Sequence, residues 1–222
     1  MKISPSRIRG FSLLELIVVI LIIGIIAAFA IPAANTIVRG SQLTQGSQIL
    51  IDQMSLARQY ALAKNESVEF RFLKFADPEV PGESDGNGNP VQSMAQFRAV
   101  QVNELLDSGA SLPLDKPQLL PQAVIMNAGA GLSTLLSPDN NRQLISALST
   151  DPELPRNIKR NYQYISFRFR PDGSTDLVTS GTWFVTMHNL NEVVTGSTPP
   201  KNFFTLQVDP VGGVTKKYRP SL

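Results

Sequence analysis

The sequence predicts an α+β fold in which one long N-terminal helix packs on a C-terminal antiparallel β-sheet head. Three stretches carry this. Residues 11–31 form an apolar run with a single charge, Glu15. Leu43, Leu50, Met54, Ala57 and Ala61 then recur at helical spacing. Beyond residue 65 apolar and polar residues alternate, most clearly in Val68-Glu69-Phe70-Arg71-Phe72 and in Tyr162–Arg170.

The first element is read from its length and flanks. At 1.5 Å per residue, the 21 residues from Phe11 to Ile31 span roughly 31 Å as a helix, about one bilayer core. The charges before Glu15 are Lys2, Arg7 and Arg9, and the next after it is Arg39. A basic flank marks the cytoplasmic side, so residues 11–32 are expected to cross an inner membrane once, with the rest of the chain outside it. A secretory signal peptide has a shorter apolar region and a small-residue cleavage site, and Ala28–Pro32 fits such a site poorly. A plain anchor accounts for the length and the flanks but not for Glu15. A carboxylate at membrane depth costs several kcal/mol and normally has a task and a partner.

Gly10-Phe11-Ser12-Leu13-Leu14-Glu15-Leu16 resembles the type III leader motif of type IV prepilins and type II secretion pseudopilins. The resemblance implies that a prepilin peptidase cuts after Gly10 and that the new terminal Phe11 is N-methylated. It implies that Glu15 pairs with the terminal amine of a neighbouring subunit during assembly. The chemistry is consistent, because a cation and a carboxylate in a low dielectric are each costly alone and far less so together.

Composition narrows the functional classes. The chain has 222 residues, with 20 basic and 18 acidic side chains. Without residues 1–10, 17 basic face 18 acidic side chains, so whole-chain charge gives no case for nucleic acid. There is no cysteine, which excludes disulfides, thiol catalysis and thiolate metal sites. No cofactor is expected.

The expected organisation is a leader at 1–10, a transmembrane helix half at 11–32, an amphipathic half at 33–65 and a β-rich periplasmic head at 66–222. Pro32 predicts a kink or local melting near Ala28–Pro32. Gly40 and Gly46 weaken the second half, and Lys64-Asn65 is a reasonable stop. In the head, strands are expected at Val68–Phe72, Phe97–Val102, Leu119–Met126, Tyr162–Arg170, Trp183–His188 and Phe203–Val208. Pro78–Pro90 reads as a loop, Pro171-Asp172-Gly173 as a turn, and 210–222 as a turn followed by a tail. Residues 127–160 read as a polar variable loop, with a short helix after Ser137-Pro138.

This order is similar to the FimT/GspH-type minor pilins and pseudopilins, and closest to the Verru_Chthon cassette protein D family. The narrower resemblance rests on Leu43-Thr44-Gln45-Gly46, Leu56-Ala57-Arg58-Gln59, the Val68–Phe72 and Arg98–Val102 strands, Pro171-Asp172-Gly173 and Gly213 with Tyr218-Arg219-Pro220. It implies a structural, non-enzymatic subunit. Its partners are prepilin peptidase, other pilin or pseudopilin subunits and inner-membrane lipid, with assembly into a pilus or a secretion filament.

Three head features are candidate sites. Asp85, Asn87 and Asn89 are spaced like the start of a calcium loop, but Pro90 and Gln96 stand where that loop needs glycine and glutamate, so a flexible turn is the better reading. His188 reads as an ordinary strand histidine. Lys216, Lys217 and Arg219 surround Tyr218, and Arg168 and Arg170 join them if the last strands pair. Such a cluster can contact phosphates and stack on a base, which is the alternative reading of a DNA-binding minor pilin. The preferred reading is a charged strand end that resists aggregation.

Overall fold

A computed structural model describes residues 11–106, 109–129, 131–139 and 141–220, and the side chains of 29–36 fall outside the described set. Two compact units divide the chain, one up to Arg39 and one from Gly40 onward. A single α-helix, α1 (Leu13–Lys64), passes from the first into the second.

In the first unit every described side chain from Phe11 to Ile26 is exposed. A helix that is apolar all round is normally found inside a core or a membrane. The helix stays regular through Pro32, where melting was expected. Proline removes one backbone hydrogen bond, and the long helical turns on both sides hold their own ladder. Among the described residues no helix is long and apolar enough to cross a membrane. The transmembrane expectation for 11–32 is therefore not carried by the structure, since part of that run has no described side chains.

In the second unit α1 buries the face its spacing predicts. Leu43, Leu50, Met54, Ala57 and Ala61 are all buried. The helix ends at Lys64, and Asn65 takes φ +58°, the left-handed stop that asparagine tolerates.

Ten strands follow among the described residues: β1 (Val68–Phe75), β2 (Gln96–Leu105), β3 (Ser111–Pro113), β4 (Gln118–Leu119), β5 (Val124–Met126), β6 (Ile145–Ser146), β7 (Gln163–Phe169), β8 (Trp183–Asn189), β9 (Phe203–Val208) and β10 (Thr215–Tyr218). They form one antiparallel sheet in the order β10-β9-β8-β5-β2-β1-β7-β6, with β3 and β4 also paired to β2. The centre is β1, where Phe70 faces Val102 of β2 and Phe167 of β7. Val68, Phe70, Phe72, Ile165, Phe167 and Phe169 point at α1 and join its buried face in the main core. The Phe70 and Phe167 rings lie 5.6 Å apart, within the range where aromatic pairs attract.

The opposite face of β1 is covered as well. Leu73, Phe75, Ala99, Leu154, Ile158, Tyr162 and Tyr164 make a second cluster there. The 127–160 segment is thus not a solvated insertion. Leu132, Leu135 and Leu136 are buried, and so are Leu154 and Ile158. Among the described residues no helix follows Pro138. Asp139 Oδ1 accepts from the backbone N–H of both Asn141 and Arg142, and the Arg142 guanidinium takes the carbonyls of Thr134, Leu135 and Ser137. The Asn141 and Arg142 N–H groups are thus taken by a side chain, and Asp139 N–H donates to the Arg142 carbonyl, the reverse of a helical bond. The short strand expected within Leu119–Met126 is β5, with β4 ending at Leu119, and β7 pairs with β1 and β6 rather than with the last hairpin.

Candidate functional site

The start of α1 is built by Ser12, Glu15 and Leu16. The Ser12 carbonyl accepts from Leu16 N–H at 3.1 Å and opens the helix. Ser12 Oγ accepts from Glu15 N–H at 3.2 Å, and Glu15 Oε2 accepts from Ser12 N–H at 3.3 Å. This is a reciprocal capping box, and it satisfies two donors that a helix start leaves orphaned. Its signal in the sequence is the Ser12-x-x-Glu15 spacing, which lies inside the leader motif. The Glu15 charge also suits the positive end of the helix dipole. Around this one carboxylate the surface is apolar and open, with Phe11 80% and Leu13 77% exposed. Phe11 lies just before the helix, and Gly10 lies outside the described residues.

Residues 5–31 match the prokaryotic N-terminal methylation motif. The motif is a type IV prepilin-like leader, so the N-terminus of this chain is pilin-like. The match ends where the apolar run ends and leaves the head untouched. No curated protein and no solved structure matches the chain.

The structure separates the basic residues near the C-terminus. Lys216 and Lys217 lie on the exposed edge strand β10 and alternate in direction. Tyr218 donates its hydroxyl to Gln207 Oε1 at 3.1 Å. Arg219 donates to Thr44 Oγ1 at 3.2 Å and lies 4.8 Å over the Phe204 ring. Arg168 and Arg170 belong to β7 and the turn after it, away from β10 in the strand order. The five do not form one patch.

Asp85 serves its own turn. Its Oδ1 accepts from the backbone N–H groups of Asn87 and Asn89, and Oδ2 accepts from the Asn89 side chain. The Asn89 backbone and side-chain bonds hold the Asp85 carboxyl below its usual range. Its lone pairs are therefore committed, as an Asx turn requires. Among the described residues no cluster of three His, Cys, Asp or Glu side chains could hold a metal. His188 is buried on β8, with Nδ1 2.8 Å from the Asn189 carbonyl and Nε2 2.9 Å from Asn127 Nδ2. Asn127 Oδ1 accepts from Gly129 N–H, so Asn127 Nδ2 is left to donate to His188 Nε2. Both ring nitrogens are thus hydrogen-bonded within the fold.

Sequence reasoning missed two buried charge networks. Alternation along β1 places Glu69 and Arg71 on the face away from α1. Both are buried. Arg71 Nε donates to Glu69 Oε2 at 2.7 Å, Nη1 to Asp151 Oδ1 at 2.8 Å and Nη2 to Ser111 Oγ at 3.0 Å. Its guanidinium also lies 4.0 Å over Tyr164. Burial alone would lower the Arg71 pKa, and Glu69 and Asp151 outweigh it and raise it. The second network joins Arg98 to Glu83 and Arg156 to Asp77, and it pins the 77–83 loop to the 156–159 turn. No local pattern announces partners 80 residues apart.

Proposed function

We propose that this chain is a structural minor pilin or pseudopilin, of the FimT/GspH type and nearest to the Verru_Chthon cassette protein D family. Prepilin peptidase cuts between Gly10 and Phe11, and the new Phe11 amine is methylated. Residues 11–32 then hold the chain in the inner membrane, with the head on the periplasmic side. The observation that carries this reading is the methylation motif over residues 5–31, laid on a helix that exposes apolar side chains all round a single carboxylate. An apolar surface of that kind needs lipid or neighbouring helices to cover it.

Glu15 has a local task, the capping box, beside the intermolecular one proposed here. Its carboxylate reaches back to Ser12 N–H, one residue from the bond that cleavage breaks. Cleavage creates an ammonium at Phe11, where a carboxylate is already placed. In a low dielectric such a pair is stable only when both charges are present, so Glu15 of one subunit sets the register against the amine of the next. The role is assembly, and no catalysis is assigned to the head.

Mass spectrometry of the membrane fraction tests the reading. The expected mature chain begins at a methylated Phe11, and Gly10→Leu leaves the leader attached. An intact Met1 in cells with active prepilin peptidase, or a terminus near Ala30, would overturn it.

A further inference from the structure

Strand β10 ends the sheet on its side, so one of its backbone edges meets no other strand among the described residues. Beside it, against the second half of α1, lies a groove of about 320 Å³ lined by Ile51, Met54, Ser55, Arg58, Val214 and Thr215 among others. Alternation puts Thr215, Lys217 and Arg219 on one side of the strand. Thr215 lines the groove, and Arg219 reaches Thr44 of α1. The strand therefore runs beside the helix from the level of Arg58 toward Thr44, with Lys217 between.

The cations along this line are not neutralised. Arg58 donates from Nε to the Gly212 carbonyl at 2.9 Å, and its Nη nitrogens make no hydrogen bond or ion pair among the described residues. Lys217 has no carboxylate partner among them either. Arg219 bonds the neutral oxygens of Thr44 and Asn202. The acid on this stretch of α1, Asp52, does not line the groove and accepts from Gln48 at 2.7 Å.

We propose that this groove docks an extended acidic segment of a partner protein as an added strand on β10. The free edge offers main-chain hydrogen bonds to any extended chain, and side chains at alternate positions give specificity. The half-buried Ile51 and the exposed Val214 give the groove its apolar lining, over the core residue Met54. Arg58, Lys217 and Arg219 take carboxylates from every second residue of the incoming strand. Lys216 and Lys217 repel another basic edge, so β10 of a second copy is selected against. Nucleic acid fits the groove less well, because it has no strand to pair and the floor offers no aromatic platform for a base. The inference does not depend on cleavage at Gly10.

The test uses the full chain in detergent micelles and fluorescence anisotropy at about 150 mM salt. The probe is a short labelled peptide of alternating aspartate and valine. It is expected to bind, whereas an alternating lysine–valine peptide does not. Lys217→Glu, a change at an exposed position, is expected to weaken binding at least about tenfold. Ser55→Trp, which fills the groove, is expected to block it while the melting temperature holds. No binding to the wild type overturns the proposal, as does binding that both variants leave unchanged. Displacement of the peptide by single-stranded DNA through Lys217 would make the groove a phosphate site instead.

Discussion

Gly213 takes φ +61°, and a Cβ built there would run into the Gly173 carbonyl oxygen. Arg58 lies against the same spot, 3.3 Å from that Cβ position. Thr175 N–H and its hydroxyl both donate to the Pro210 carbonyl, so the turn after β7 and the turn after β9 are tied together over α1. Gly213→Ala is expected to cost about 2 kcal/mol or more, from left-handed strain plus the collision. Gly88 has φ +79° with open space around it, so Gly88→Ala is expected to cost only about 1 kcal/mol. Thermal unfolding of the two variants checks the contrast, and equal losses would mean that the turn contact contributes nothing. Arg71 gives a sharper case. Arg71→Met leaves Glu69 and Asp151 buried without their cation and is expected to cost about 3–5 kcal/mol. Adding Glu69→Gln and Asp151→Asn removes the stranded charges and is expected to recover much of that loss. A triple variant no better than the single one would show that the guanidinium matters for its packing on Tyr164 instead.

Among the elements, α1 was the most legible. Its buried face from Leu43 to Ala61 follows from periodicity alone, because a helix facing one sheet needs one apolar stripe. Strands β1, β7, β8 and β9 were legible for the same reason, with apolar residues at every second position. The 127–160 segment was not. Its buried leucines follow no single period, and it is held by side chain to backbone bonds whose partners only folding brings together. Asp139 is the clearest of these. Burial pushes its carboxyl up, but the Arg142 guanidinium and the Asn141 and Arg142 backbone N–H groups prevail and hold it below the usual range. A carboxyl depressed in the folded state adds stability that is in place above the unfolded value of about 4 and fades as pH falls through the lower folded value. Asp139→Asn is therefore expected to lower the melting temperature at neutral pH and to flatten its decline below about pH 4. An acid profile parallel to that of the wild type would rule out this role for the carboxylate.

At the scale of the whole molecule, the sequence made both ends of the chain's logic readable and hid what joins the head together. The leader motif and the helix are local patterns. The words that suggested a narrower family, around Arg58, Gly173 and Gly213, looked unrelated in sequence and meet in space at one turn contact. The apolar start of α1 poses the remaining question, since Phe11–Ile26 is exposed with Glu15 as its one charge. Three variants separate what that charge does. Glu15→Val removes a charge from an apolar helix, so membrane association is expected to hold or rise. If the carboxylate offsets the amine of a neighbour, co-purification with partner subunits falls at least about tenfold, because a buried ammonium is left unpaired. Glu15→Gln keeps a hydrogen-bond acceptor for Ser12 N–H but not the charge, and should assemble as poorly as Glu15→Val. Ser12→Ala does the reverse. It loses the cap, at about 1 kcal/mol, keeps the carboxylate and should assemble nearly as well as the wild type. If Ser12→Ala instead fails as completely as Glu15→Val, the carboxylate serves its own helix start and not the next subunit.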